Sequence, residues 1–255
     1  MNLKIAQSIF IASFKTIGYL FLLIISVLFL DSYIFTASIP NPQIIANIAM
    51  FTAFTVVYWK STARIRELMI YAVLIGFIGE YLFSLGLGMY TYRLGNVPWY
   101  VPPGHAIVYI ATIYFCKQSI IKNFKKQIEK IFTLFVWSYC LIFLIFKGDV
   151  FGFLMSIAVL SVLKNKPRER LFYLTMYVVV AFLEIVGTAY QCWYWPDTAF
   201  GVIPFLKSSN PPSGISLVYF LLDLGSLWLY KLRHRTAWSR MKLQRALVSK
   251  STSLM

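Results

Sequence analysis

The chain has 255 residues, 59% of them hydrophobic, a mean hydropathy of +0.70 and a formal net charge of +15. That apolar fraction excludes an ordinary soluble domain. Two histidines in the whole chain exclude the multi-histidine di-iron sites of membrane desaturases and hydroxylases.

Crossing roughly 30 Å of hydrocarbon takes about 20 apolar residues as a helix, and runs of that order recur along the chain. Eight spans are predicted, at 16–35, 42–59, 68–88, 104–116, 131–147, 149–163, 171–192 and 214–230. The fourth and sixth are short, which leaves seven as the alternative. The stretch "IAQSIFIASFK" ahead of the first span reads as a short amphipathic helix along the interface. "TAS" (36–38) offers small residues for signal cleavage, but the apolar run is longer than a 7–15-residue signal core, so an uncleaved first span is expected. "KGD" (147–149) forms a tight hairpin between the fifth and sixth spans. In lipid these runs must be helical, because backbone groups there have no water to bond. The expected fold is an all-α polytopic membrane bundle, one integral-membrane domain over 1–255.

The basic residues are not spread like a nucleic-acid footprint. Groups at Lys4 and Lys15, at 60–66, 117–130, 164–170 and 231–250 hold 21 of the 24, and with eight spans all of them fall on one side. The positive-inside bias makes that side the cytoplasm and puts both termini there. Arg93, Lys147 and Lys207 are the exceptions. The tail "KLRHRTAWSRMKLQR" within 231–255 serves as a topology signal or adds attraction to anionic headgroups. Nucleic acid is not an expected partner, and the Lys- and Ile-rich composition suggests a bacterial inner membrane. Cys116, Cys140 and Cys192 show no metal-type spacing and an odd count, so neither a metal site nor a disulfide framework is expected, and no cofactor is required.

An internal repeat organises the chain. Arg66-Glu67-Leu68 and Glu169-Arg170-Leu171 each open a unit that runs through an apolar helix to a glutamate, Glu80 or Glu184. An aromatic cluster follows, "MYTYR" (89–93) or "CWYWPD" (192–197), then a proline loop, "VPWYVPPG" or "VIPFLKSSNPPSG". Each unit re-enters with Tyr109 or Tyr219 at matching offsets from Gly104 or Gly214. Equal orientation predicts two parallel halves of four spans, about 1–116 and 117–255, able to face each other across a central site. The proline loops are read as rigid connectors whose apolar residues fold inward as a lid.

Three acids, Glu80, Glu184 and Asp223, lie inside apolar helices, whereas Asp31, Glu67, Glu129, Asp149, Glu169 and Asp197 sit at span ends or in loops. A charge at mid-bilayer costs at least ~2.5–3.5 kcal/mol, so an intramembrane carboxyl is a functional candidate unless neighbouring helices bond it for structure alone. Helix rise places all three in the central to outer part of the membrane, close enough to line one cavity. His105 reads as a proton carrier or a cap. Most aromatics are expected in interfacial belts, while Trp193 and Trp195 can instead stabilise a cation through their ring faces.

The pattern of a glutamate near a span end, Gly/Tyr-rich residues, a "VP" loop and a re-entering helix (76–110, echoed at 180–219) resembles integral-membrane carotenoid-biosynthesis proteins of the carotenoid hydratase type. "GEYLFS" (79–84) and "CWYWPDTAF…SLVYFLLDLGSLWLY" (192–230) look similar to the small membrane terpene cyclases of meroterpenoid pathways. Those cyclases imply a Glu on an early helix and an Asp on the last, here Glu80 and Asp223. The duplicated proline loops and the extra span depart from that pattern. Both resemblances imply one chemistry: a carboxyl kept neutral by an apolar site protonates an isoprenoid double bond or epoxide, and water or an internal alkene captures the carbocation.

The expected function is therefore a membrane-embedded enzyme performing proton-initiated cyclisation, hydration or isomerisation of an isoprenoid or other lipid. Glu80, Asp223, Glu184 and His105 are the catalytic candidates, with Tyr90, Tyr92, Tyr109, Trp193, Trp195 and Tyr219 around the substrate. A proton-coupled carrier and a non-catalytic lipid-binding or assembly protein are the alternatives.

Overall fold

The computed structural model describes residues 3–36, 39, 41–236 and 238–240. The end of the basic tail, from 241 on, and two residues of "TAS", 37 and 38, lie outside the described residues. The described residues are mostly helical, with helices at all eight segments predicted from the apolar pattern. They are α1 (Leu3–Ser13) leading into α2 (Tyr19–Leu30), a short α3 (Tyr33–Thr36), α4 (Pro42–Lys60), α5 (Ala63–Glu80), α6 (Val101–Lys117), a short α7 (Ser119–Asn123), α8 (Lys125–Lys147), α9 (Val150–Lys164), α10 (Arg170–Ala189) and α11 (Ser216–Arg233). Five of the helical runs are long and apolar enough to cross a membrane: Ile5–Thr36, Pro42–Lys60, Ala63–Gly86, Lys125–Lys147 and Arg170–Ala189. Exposed Ile48, Val56, Leu134, Ile145 and Phe146 give α4 and α8 apolar outer faces of the kind that lipid covers.

Three local expectations are corrected. The segment "IAQSIFIASFK" is no separate interfacial helix; it continues through a π-helical stretch (Phe14–Gly18) into α2, which keeps its backbone bonded along one run. The helix expected from 104 begins earlier, at Val101, with Pro102 and Pro103 starting it in its first turn, where a missing N–H costs nothing. The connections read as plain loops contain four short strands, β1 (Thr91–Tyr92), β2 (Trp193–Tyr194), β3 (Thr198–Ala199) and β4 (Ile203–Lys207). β1 pairs antiparallel with β2, and β3 with β4.

α10 is the most enclosed of the long helices and packs against α2, α6, α8, α9 and α11. Its Tyr177 is fully buried and bonds both Ser156 of α9 (2.8 Å) and the Ser213 carbonyl (2.7 Å). α5 packs against α4, α6 and α11.

Two acids assigned to span ends turn out to hold the outer connections in place, and both are fully buried. Asp31 accepts from Arg93 (2.7 Å) and from the Tyr100 hydroxyl (2.8 Å), which fastens the connection between α5 and α6. Asp149 accepts from the backbone N–H of Gly152 (3.1 Å), Ser209 (3.1 Å) and Ser213 (2.7 Å), so one carboxylate caps α9 and seats the "SSNPPSG" loop. Gly152 and Gly214 make that seating possible, since a Cβ on either would collide with backbone of the other segment. Asp149→Ala leaves three buried donors without an acceptor, at ~1–3 kcal/mol each. Thermal unfolding in detergent is therefore expected to show a loss of ~3 kcal/mol or more for Asp149→Ala, with no measurable change for Asp197→Ala on the exposed β2–β3 turn.

Candidate functional site

The site grows from the ends of α5 and α10. Glu80 is the last residue of α5, and the backbone then switches to a π-helical stretch (Tyr81–Gly86). Such a bulge re-aims the residues around it and is frequent at functional positions. Small residues let neighbours close in on this turn: Leu222 of α11 packs onto Gly79, and the His105 ring of α6 lies against Gly76. Glu184 sits five residues before the end of α10.

The β1–β2 pairing supplies the next layer. Tyr92 pairs with Trp193 and Thr91 with Tyr194. Because strand side chains alternate, Tyr90, Tyr92, Trp193 and Trp195 all turn inward, while Thr91 and Tyr194 face out. The four inward rings pack together, Tyr90 on Trp195 at 4.6 Å and Tyr92 on Trp193 at 6.1 Å between centroids. Gly187 leaves the space that the Trp193 indole fills.

Each glutamate is held by three side chains. Glu80 Oε2 accepts from the hydroxyls of Tyr90 (2.5 Å) and Tyr92 (2.6 Å), and its Oε1 lies 2.7 Å from His105 Nε2. Glu184 Oε2 accepts from the indole N–H groups of Trp193 (2.8 Å) and Trp195 (3.0 Å), and its Oε1 from the Tyr219 hydroxyl (3.0 Å). An indole N–H can only donate, so Glu184 Oε2 is committed as an acceptor. Burial, then the charge of Glu80, pushes the phenols of Tyr90 and Tyr92 well above the ordinary range, so both remain donors at any physiological pH.

Both cages open on one cavity between α2, α4, α5, α6, α10 and α11. The space between its lining atoms, mouth included, is about 820 Å³. Its lower wall is hydrocarbon, with Leu20, Ile24, Val27 and Met50 among the lining side chains. Leu20 to Leu28 on α2 covers eight residues, ~12 Å of helix at 1.5 Å per residue. The polar wall is the pair of carboxyl cages.

Eight of the ten predicted residues meet in this cavity: Glu80, Glu184, His105, Tyr90, Tyr92, Trp193, Trp195 and Tyr219. Two do not. Asp223 lines a smaller adjoining pocket, because α11 turns Tyr219 and Leu222 to the cavity and the next residue is rotated about 100° away. Tyr109 is buried edge-on against Phe172 and lies outside the cavity wall. The expected Glu80–Asp223 pairing is thus replaced in space by Glu80 with Glu184. Trp193 and Trp195, set apart from the interfacial belts by their place in the sequence, spend their N–H groups on a carboxyl.

Asp31, Arg93 and Tyr100 were missed as a unit that closes the site above Leu28. Their signal was present, since Arg93 is one of the three basic residues outside the basic groups, and an isolated cation between apolar segments calls for an acid. Among the described residues no group of three His, Cys, Asp or Glu side chains could hold a metal ion. No family model, curated protein or solved structure matches the chain.

Trp193→Phe keeps the ring and removes one donor from Glu184; a hydrogen bond to a charged group is worth ~1.5–3 kcal/mol. Unfolding experiments are expected to show a loss of that order. Gly187→Ala should cost more than Trp193→Phe, since it drives the whole indole off its acceptor.

Proposed function

We propose that the protein is a membrane-embedded acid–base enzyme that protonates a carbon–carbon double bond of an isoprenoid hydrocarbon and resolves the resulting cation by ring closure, hydration or isomerisation. One observation carries the reading: two buried carboxyls, each held by three side chains, share a cavity whose remaining wall is apolar. In this topology all eight long helices cross the bilayer as two parallel halves, and both termini lie on the cytoplasmic face.

The roles follow from the donors. Glu80 is the acid, because its Oε1 faces His105, a group able to hand a proton on and take one back. Glu184 is the partner that gives no proton from Oε2, since two donor-only indoles hold that oxygen as an acceptor. The proton leaves Glu80 Oε1 for one alkene carbon, and the alkene electron pair forms the new C–H bond. The cation left on the other carbon is stabilised by the Glu184 carboxylate and by the ring faces of Tyr90 and Trp195. A neighbouring alkene or a water then adds to that carbon, or a neighbouring C–H gives up its proton. In each case one proton is released, and it returns through His105 to Glu80. The apolar wall along α2 suits an extended hydrocarbon entering from the lipid.

The test is incubation of the purified full chain in lipid nanodiscs with acyclic isoprenoid hydrocarbons in D2O. Deuterium on carbon in the product is expected, and Glu80→Gln should lower its formation by ~10²–10⁴-fold, the range for losing a general acid. Binding of the hydrocarbon should persist in that variant. Proton-dependent uptake into proteoliposomes without deuterium on carbon would instead make the chain a carrier.

A further inference from the structure

We propose that Asp223 is a relay residue, which passes protons to His105, and so to Glu80, through a water molecule bound in the small pocket between α5, α6, α10 and α11. The proposal deepens the acid–base reading above and rests on separate geometry.

Asp223 is 8% exposed, and its Oδ2 is buried with no hydrogen-bond partner among the described residues. None of the described salt bridges includes it. An orphaned buried carboxyl oxygen is costly, and in native proteins it marks an ordered water, an ion or a working group. The pocket it faces is small, leaving about 10 Å³ for the centre of a water molecule, the space of a single water. Ala72, Val108, Met176 and Leu222 form its apolar sides, and His105, Tyr219, Asp223 and Ser226 supply the polar ones. Buried waters typically make about three hydrogen bonds to groups that lack other partners. The Ser226 hydroxyl is already given to the Leu222 carbonyl (2.9 Å), so Asp223 is the strongest open acceptor in the pocket.

His105 and Tyr219 line this pocket and the main cavity alike, and their rings stand 5.0 Å apart at the boundary. His105 Nε2 is engaged with Glu80, while its other ring nitrogen has no partner among the described residues. An imidazole that lines two adjoining spaces can accept a proton on one ring nitrogen and release one from the other. The transfer balances. Asp223 gives its proton to the water, and the water gives one to His105 Nδ1. His105 releases the Nε2 proton to Glu80 Oε1, and Asp223 is reprotonated from solvent. Glu80 is thus recharged without opening the cavity to bulk water.

With two histidines in the chain, ¹⁵N-histidine labelling of the full protein in detergent gives two readable imidazoles. His234, held by Glu67 (2.7 Å) at the far end of α11, is the internal reference. Asp223→Asn is expected to slow exchange of the His105 ring proton with water about tenfold or more, a barrier increase of ~1.4 kcal/mol. His234 should be unchanged, and Asp223→Glu should restore the rate. Ala72→Val, which narrows the pocket and leaves Asp223 in place, is expected to slow His105 in the same way, and it decides the matter alone if Asp223→Asn loses the His234 signal. An unchanged His105 rate in either folded variant overturns the relay. Because this readout needs no turnover, a relay without deuterium on carbon would refute the enzyme reading and leave the relay standing.

Discussion

A carboxyl group removed from water must find donors for its lone pairs or give up its charge, and in hydrocarbon there is no third course. Glu80 and Glu184 each meet three polar side chains, carried on α6, on α11 and on β1 and β2 with their flanking residues Tyr90 and Trp195. This requirement shapes much of the outer half of the molecule. The two-residue strands exist as a pair because only a paired, alternating backbone turns Tyr90, Tyr92, Trp193 and Trp195 to the same side. The glycines at 76, 79 and 187 are where they are because a histidine, a leucine and an indole must come within contact distance of the helices that bear the acids.

The same rule operates one layer further out. Asp31 and Asp149 are fully buried and fully bonded, one by Arg93 and Tyr100, the other by three backbone amides. They make the connections above the cavity into fixed parts of the wall. Asp223 is the contrast. It breaks a rule that four other buried acids obey, and it does so beside a pocket that adjoins the cavity through His105. A protein that bonds its buried carboxyls this thoroughly elsewhere has a use for the one it leaves open.

The two cages are alike in plan and unlike in chemistry. Phenols and an imidazole can both give and take protons; indole N–H groups can only give hydrogen bonds. Glu80 therefore has proton-exchanging neighbours, and Glu184 has neighbours that hold it as an acceptor. The two carboxyls of one chamber thus differ in their partners, without any difference between the carboxyls themselves.

The helical class and the positions of the long helices were legible in the sequence, because apolar runs bounded by charge can only be helices when lipid surrounds them. That Glu80 and Glu184 lie buried inside the helical bundle was legible from their place in apolar runs. The partners of those acids were not. Tyr92 lies 12 residues from Glu80 and Trp195 lies 11 from Glu184, separations over which no single helix or strand brings two side chains into contact. Their meeting depends on β1 finding β2 a hundred residues away. Nor could spacing decide that Asp223 belongs to a second pocket: one residue of helix is a rotation of about 100°, and only the packing of α11 on α5 settles which side of that rotation faces the cavity. Composition and periodicity determined what must be buried, because the cost of exposure is a property of each residue; the tertiary structure decided which buried groups meet, because that is a property of the packing.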